Sequence, residues 1–440
     1  MRLFSRPVKA FRLPLNEWYH SRGQVILSSG SLCVLSGRFL RRMENTEQVH
    51  AIHTSRVFTS LILLSHIVLS NHDVEAEPAR PVFKLDVPDP TADKPQSKIW
   101  YARGSWWACL PARDGNQIWR RSSTGWARAG GDDPPLRGIF GYGDVYADQD
   151  HVHVVLVSPQ ALTVVALCYD RQLCTYRQVA TPATWPIHAD SIIETATITK
   201  DHTGRLWVAY DASQSIWVRA SRDALGVRWT DPILLGRGTT DDDICSIARL
   251  SGGVGVIWSN QNNESISFRF HPNGSPPDSW DQTEIAAQGD KTADDHLNCA
   301  VAEDGTLYVA TKTSLDTTNR PLLSLRERLP NGRWRSHAYA SLTSNGEPSR
   351  PIVMASHCPK RLVLCHTLYG SGSQTFSIIG MICRYPSPVL DCQGVKLIQP
   401  EARLNNVTGC KSPLPINVSS VVLASDGDGN VYEAIVDLTH

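Results

Sequence analysis

No segment of this 440-residue chain sustains a hydrophobic period of 3.6 residues, which excludes a fold built mainly from helices. There is no Gly-x-Ser-x-Gly elbow, no His/Cys spacing suited to zinc, and no glycine loop between a strand and a helix. Serine-hydrolase, zinc and nucleotide-phosphate readings therefore lack their starting residues. Nor is there an excess of charge of either sign. The chain has 43 basic and 43 acidic residues, and no basic patch of nucleic-acid type occurs beyond the N-terminal region. The stretch "SDGDGNVYE", Ser425–Glu433, comes nearest to a calcium loop through Asp426, Asp428 and Asn430, but Val431 stands where an EF-hand needs glycine. An Asp-Gly hairpin turn accounts for the same residues without a metal.

Long apolar runs are also scarce. The clearest is "VFTSLILLSHIVLS", Val57–Ser70, too short for a membrane span and about right for a signal-peptide core. Val74-Glu75-Ala76 offers small residues for cleavage, and Met43 is a reasonable start, which makes 1–42 a basic extension whose one acid is Glu17. The division expected is 1–78 as leader, signal peptide or uncleaved anchor, and 79–440 as the folded domain. Cleavage discards Cys33 and leaves ten of the eleven cysteines, an even number that suits an exported, disulfide-bonded chain in the periplasm, at the cell surface or in the medium. Cys168 with Cys174 and Cys383 with Cys392 flank short loops, and Cys245 and Cys299 fall at equivalent places in neighbouring repeats.

What is abundant is repetition. "ATITKDHTGRLWVAY" from Ala196 and "CAVAEDGTLYVATKTS" from Cys299 both read as strand, Asp/Gly turn, strand. "SIARLSGGVGVIWSN" and "SSVVLASDGDGNVYEAIVD" repeat the plan; "DVYADQDHVHVVLVS", "IVMASHCPKRLVLCHT" and "KIWYARGSWWACL" follow it more loosely. The spacing is about 50 residues, and an aromatic opens a later strand in each unit: Trp126, Tyr176, Trp229, Trp280 and Trp334. Four short strands per unit define an all-β, seven-bladed β-propeller of four-stranded antiparallel blades. The last copy stops after two strands, so "ARPVFKLDVP" is expected to complete it and close the ring from the N-terminal side.

In a propeller, the residues that precede each innermost strand converge on one mouth of the central channel. This register brings together Lys98, Arg137 to Asp144 (with Tyr142), Glu194, Asp241 to Asp243, Asp294 to Asn298, Arg350 and Asn417. His296 is the one histidine there and suits a general base, with Asp294 or Asp295 to orient it. Asp242, Asn298, Arg137, Glu194 and Lys312 complete a set that suits a carbohydrate or carboxylate ligand. The alternative for His296 is a hydrogen bond to a neighbouring blade, and for Asp241 to Asp243 a solvated loop face.

Over residues 95–437, through "SKIWYARGSWWACL", "TITKDHTGRLWVAY", "IWSNQNNESISFRF" and "DDHLNCAVAEDGTLYVATKTS", the chain resembles secreted bacterial propellers of the BNR-repeat, sialidase-like group. It is more distantly similar to propeller-type polysaccharide lyases such as the ulvan lyases, which place a "DDH" cluster before an inner strand. The sialidase arginine motif "RIP" and strict Ser-x-Asp-x-Gly-x-Thr-Trp boxes are absent. The lyase resemblance implies β-elimination on an acidic, uronate-containing polysaccharide, with His296 as base, Tyr142 as acid, and Arg350 or Arg137 on the carboxylate. The partner expected is a glycan and the chain a monomer; no cofactor is assigned, and a structural calcium stays open. A non-catalytic glycan- or protein-binding propeller is the alternative, and a sialidase-like hydrolase a third reading.

Overall fold

The computed structural model describes residues 78–440 apart from 132, 149, 188–191, 318–319, 344–345, 371–375, 387, 389, 391–393, 415 and 439–440. The proposed leader and Cys392 lie outside the described residues. Among those described there is no helix long and apolar enough to cross a membrane.

Seven antiparallel sheets follow one another along the chain. The innermost strands of the first six are β1 (Ile99–Ala102), β2 (Tyr142–Asp148), β3 (Ala196–Lys200), β4 (Cys245–Leu250), β5 (Leu297–Val301) and β6 (Glu347–His357). In the seventh, residues 404–410 lie inside β7 (Ser420–Ser425), bridging it antiparallel at Asp426 and Leu423 and bridging Ile99 of β1 in parallel. Blades one and three to six are four-stranded meanders. In blade two the long strand Ala161–Asp170 pairs both with Thr175–Gln178 and with Ala183–Pro186, giving five strands. In blade seven the inner position is held by the isolated bridges Leu404 to Asp426 and Thr408 to Leu423. Outside these the blade contains three strands among the described residues: β7, Asn430–Val436, and the short strand Phe83–Lys84, which pairs Phe83 with Val431.

Alternation along the strands explains the ring. Successive side chains point to opposite faces of a sheet, so each blade presents an apolar face to both neighbours. In the second strand of blade three, Val208 and Tyr210 pack with blade two, whereas Trp207 and Ala209 pack with blade four. Trp207 has no exposed surface, and removing its ring costs about 3–5 kcal/mol. The same alternation keeps Cys245 and Cys299 apart. Equivalent positions face the same way round the ring, so Cys245 lies between blades three and four while Cys299 lies one interface further on. Both are thiols, and Cys299 meets the Ser246 hydroxyl at 3.2 Å. Cys168 and Cys174 are thiols too, each turned to a backbone carbonyl, of Tyr169 and Arg171.

Near the axis, a polar side chain on three of the inner strands latches the next blade. Asp144 accepts the Ile198 N–H at 2.7 Å, Thr197 the Ile247 N–H at 3.0 Å, and Asn298 the Val353 N–H at 3.0 Å. Further out, a glutamate clasp occurs twice. Glu284 receives both Arg328 and the Trp334 indole of the next blade, and Glu433 receives both Arg121 and the Trp126 indole. Forked Arg–carboxylate pairs of this kind hold geometry as well as charge.

The aromatic landmark holds unevenly. Trp126, Tyr176 and Trp334 lie in outermost strands, but Trp229 and Trp280 stand before theirs, Ile233–Arg237 and Glu284–Gln288. Trp229 makes only an isolated bridge, to Ser221, because Pro232 interrupts the ladder with no N–H to give, and Arg269 occupies the carbonyls of Trp280 and Asp281. In "SDGDGNVYE" the Asp426 carboxylate bonds the N–H groups of Asp428 and Asn430 and the Tyr432 hydroxyl, so its oxygens serve the turn. Gly429 there has φ of 82°, and a Cβ would stand 2.2 Å from the Leu85 carbonyl, so only glycine fits.

Candidate functional site

The segment Thr91–Lys98 crosses the upper mouth, where the inner strands begin. Thr91 bonds Ser425 and Asn406, Gln96 donates to the carbonyls of Tyr142 and Ala196, and the Ser97 N–H reaches Asp144 at 2.8 Å. Lys98 is wholly buried with its ammonium on Gln96 and Gly143, and burial pushes its pKa down to about 8. It therefore faces inward rather than into an open mouth.

Beside this segment, blade five assembles the cluster that the sequence singled out. The His296 Nδ1 faces Asp294 Oδ1 at 2.6 Å and also Asp295 Oδ1. A ring nitrogen that faces carboxylate oxygens carries the proton, which leaves the lone pair on Nε2. That Nε2 is buried and has no hydrogen-bond partner among the described residues. Lys312 donates to Asp294 at 3.0 Å, and Ser314 donates to the same carboxylate at 3.3 Å.

A lysine that the blade register had not assigned links this group to blade three. Lys94 bonds Asp295 and lies 3.3 Å from Glu194. Burial opposes its charge, but Asp295 and Glu194 together hold its pKa above the usual lysine value. Burial likewise works against the Asp295 carboxylate, yet the hydrogen bond from His296, helped by Lys94, holds it well below the usual range. Glu194 goes the other way. Burial, with Asp211, Asp295 and Asp242 nearby, outweighs Lys94 and lifts it to about 8. Asp242 is raised by burial and by Asp295. Two adjoining carboxyls are thus driven apart, one ionised and one protonated near neutrality, the condition in which acid and base roles separate.

Arg350 enters from blade six with φ of 51°, a left-handed conformation that non-glycine residues seldom adopt. A register shift in β6 accompanies it. Its guanidinium donates to the Tyr369 hydroxyl, and its Nε is buried without a partner. Burial lowers its pKa, and Asp295 and Asp93 only partly restore it. Tyr142 is half-buried with its hydroxyl on the Pro88 carbonyl at 3.2 Å, and burial raises its pKa.

The sequence-expected residues therefore divide. Asp294, Asp295, His296 and Lys312 meet in one network with Glu194 and Asp242, Arg350 lies near Asp295, and Tyr142 lies by Pro88 and Asp93. Asn298 is spent inside the ring on Val353 N–H and the Pro95 carbonyl. Arg137 is exposed on a loop whose backbone pairs with Gly115. Lys94 and Tyr369 were missed. Lys94 precedes the first repeat, so no register could place it, and Tyr369 comes from a second strand. Two triads, Asp294–Asp295–His296 and Glu194–Asp242–Asp295, have donor atoms within 4.8 Å of one another and the chemistry to hold a divalent cation. In the second triad the Lys94 ammonium already supplies positive charge.

The raised Glu194 carboxyl has a measurable consequence. Unfolded, it ionises from about 4.5; folded, it keeps its proton to about 8. Its contribution is fully present below the lower value and is lost as pH rises through the upper one. Asp211, buried against the Glu194 and Thr195 N–H groups and raised to about 7, acts similarly but finishes sooner. Wild type should lose thermal stability between about pH 7 and 8, and Glu194→Gln should flatten that slope. An unchanged slope in the variant would remove Glu194 from this account.

Fold and site together define a seven-bladed propeller whose upper mouth carries an oriented histidine, opposed carboxyls and buried cations. No family model matches the sequence, and no curated protein matches it, so the sialidase-like membership suggested by the motifs is not shown. Among solved structures the chain is similar to the polysaccharide lyase Uly1 (10% identity over 79% of this chain and 91% of that one, TM-score 0.45). It is also similar to an arginine-to-alanine mutant of AofleA from Arthrobotrys oligospora (11%, 72% and 89%, TM-score 0.46). A third is the α-L-arabinofuranosidase Arb93A from Fusarium graminearum (9%, 70% and 98%, TM-score 0.43). At such identities the likeness is one of fold, and function has to be read from this chain's own residues.

Proposed function

We propose that the protein is an exported, carbohydrate-active propeller that cleaves an acidic polysaccharide by β-elimination at its upper mouth. The observation that carries this is His296: Nδ1 is held by carboxylates while Nε2, the nitrogen with the lone pair, is left without a partner. Nε2 takes the proton beside a uronate carboxylate. The electrons of that C–H bond form the new C=C bond, the adjacent C–O bond breaks, and a phenol protonates the departing oxygen. Arg350, whose hydrogen-bond partner is a hydroxyl and not a carboxylate, suits the substrate carboxylate. Tyr142 and Tyr369 are the phenols beside it.

A second reading, glycan or protein binding without turnover, is favoured by Lys94, which crosses the mouth and engages both Asp295 and Glu194. The test is the ultraviolet absorbance of an unsaturated uronate product, followed with the full chain on uronate-containing and neutral polysaccharides. A rise confined to the uronate substrates supports the lyase. Saturable binding with no rise on any of them overturns it in favour of the binding module.

A further inference from the structure

The channel has a second mouth, where the inner strands end, and the upper cluster does not reach it. Asp144 separates the two. It is fully buried, takes the Ser97 N–H from above, and binds the ammonium of Lys411, which follows the inner segment 404–410 of blade seven. Beneath Lys411 lies a cavity of about 450 Å³. Its walls are largely apolar, from Ile247, Ala248, Val301 and Pro413. A cavity of this size with apolar walls and few polar groups has the form of a small-molecule site.

The charges that line it are nearly all neutralised. Asp148 pairs with Lys200 at 3.2 Å, Glu303 with Lys360 at 3.4 Å, and Lys411 with Asp144. Arg249 differs. It donates to the Tyr146 hydroxyl at 3.1 Å and to His202 Nδ1 at 2.8 Å. The His202 Nε2 faces the Leu250 carbonyl at 3.0 Å and must donate to it, so Nδ1 is the accepting nitrogen of a neutral ring. Arg249 is thus a positioned guanidinium whose hydrogen-bond partners among the described residues include no carboxylate. A second lining residue, His357, has its Nε2 buried and without a partner. Buried polar atoms in native structures are nearly always satisfied, so His357 Nε2 lacks a partner that a ligand would supply, and the Arg249 charge lacks a carboxylate that an anionic ligand would supply.

We propose that the lower mouth binds a small organic anion, a carboxylate or sulfonate on an apolar ring body, with Arg249 on the anionic group and the strand-end walls around the ring. The site is independent of the upper mouth and of its chemistry. The probe is anilinonaphthalenesulfonate, titrated by fluorescence against the full chain, with naphthoate and glucuronate as competitors. Saturable binding that naphthoate displaces is expected. Arg249→Gln should weaken it roughly tenfold or more, the loss expected for one charge-assisted pair. Ser251→Trp, at an exposed position on the rim, should block it while melting remains cooperative. His296→Ala should bind as wild type does. Absence of saturable binding, equal affinity in Arg249→Gln, or an unaffected Ser251→Trp overturns the proposal. Displacement by glucuronate alone would overturn its apolar part and assign the site to a sugar acid.

Discussion

Asp144→Ala should destabilise the protein by about 3–5 kcal/mol, the cost of leaving a buried charge without its partner. The carboxylate has no exposed surface and serves three donors from three parts of the ring: the Ser97 N–H, the Ile198 N–H and the Lys411 ammonium. Alanine leaves all three in the channel, with only the Ile198 carbonyl, 3.1 Å from Lys411, to offset the loss. Against a total stability of about 5–15 kcal/mol this is a large fraction. The measurement is the urea midpoint at constant slope. Asp144→Asn should fall between the two, since one oxygen survives to accept an N–H. Adding Lys411→Met to Asp144→Ala should recover part of the loss by removing the stranded charge. If the alanine variant stays within about 1 kcal/mol of wild type, as an exposed pair would, the channel latch described here is wrong.

The second large effect falls on turnover. His296→Ala should lower kcat on a cleaved uronate polysaccharide by about 100- to 10,000-fold, the usual contribution of a positioned base. KM should change little, because the imidazole acts on the proton in transfer and Arg350 acts on the carboxylate. Arg350→Ala should show the converse, a raised KM with a smaller fall in kcat. Asp294→Asn should keep the ring in place but weaken its hold on Nδ1, and should reduce kcat less than His296→Ala does. Turnover by His296→Ala equal to wild type would end the assignment of the base.

The blade plan was legible because it rests on period-two alternation and Asp/Gly turns, both local properties of the chain. The expected inner strands of blades one to six start within a few residues of their predicted positions, from Ile99 to Glu347. The one expected for blade seven, from Ser419, is instead its second strand, because residues 404–410 take the inner place. The blade-five cluster was legible for the same reason: once the register was known, Asp294, Asp295 and His296 had to meet at a mouth. The rest depended on facts that a repeat does not carry. Lys94 belongs to a connecting segment with no counterpart in other blades, and its reach to Asp295 and Glu194 follows from the path of the chain across the axis. Asn298 looked like a substrate ligand because it sits beside the cluster, but its strand position points it at the next blade. Cys245 and Cys299, at equivalent places in neighbouring blades, do not meet, because equivalence under rotation is not adjacency.

Blade seven bears on how the molecule is made. The strand Phe83–Lys84 emerges from the ribosome before any blade, yet its partner, Asn430–Val436, is among the last segments to emerge. Six blades can stack as they are synthesised, each on the one before. During that interval the apolar surface that blade one later shares with blade seven, including Trp106 and Ala108, has no cover. Such an intermediate exposes unpaired backbone and apolar side chains together, the combination most prone to aggregate. Chaperone demand and sensitivity to slow elongation should therefore concentrate at the end of synthesis, when most of the sheet is already in place.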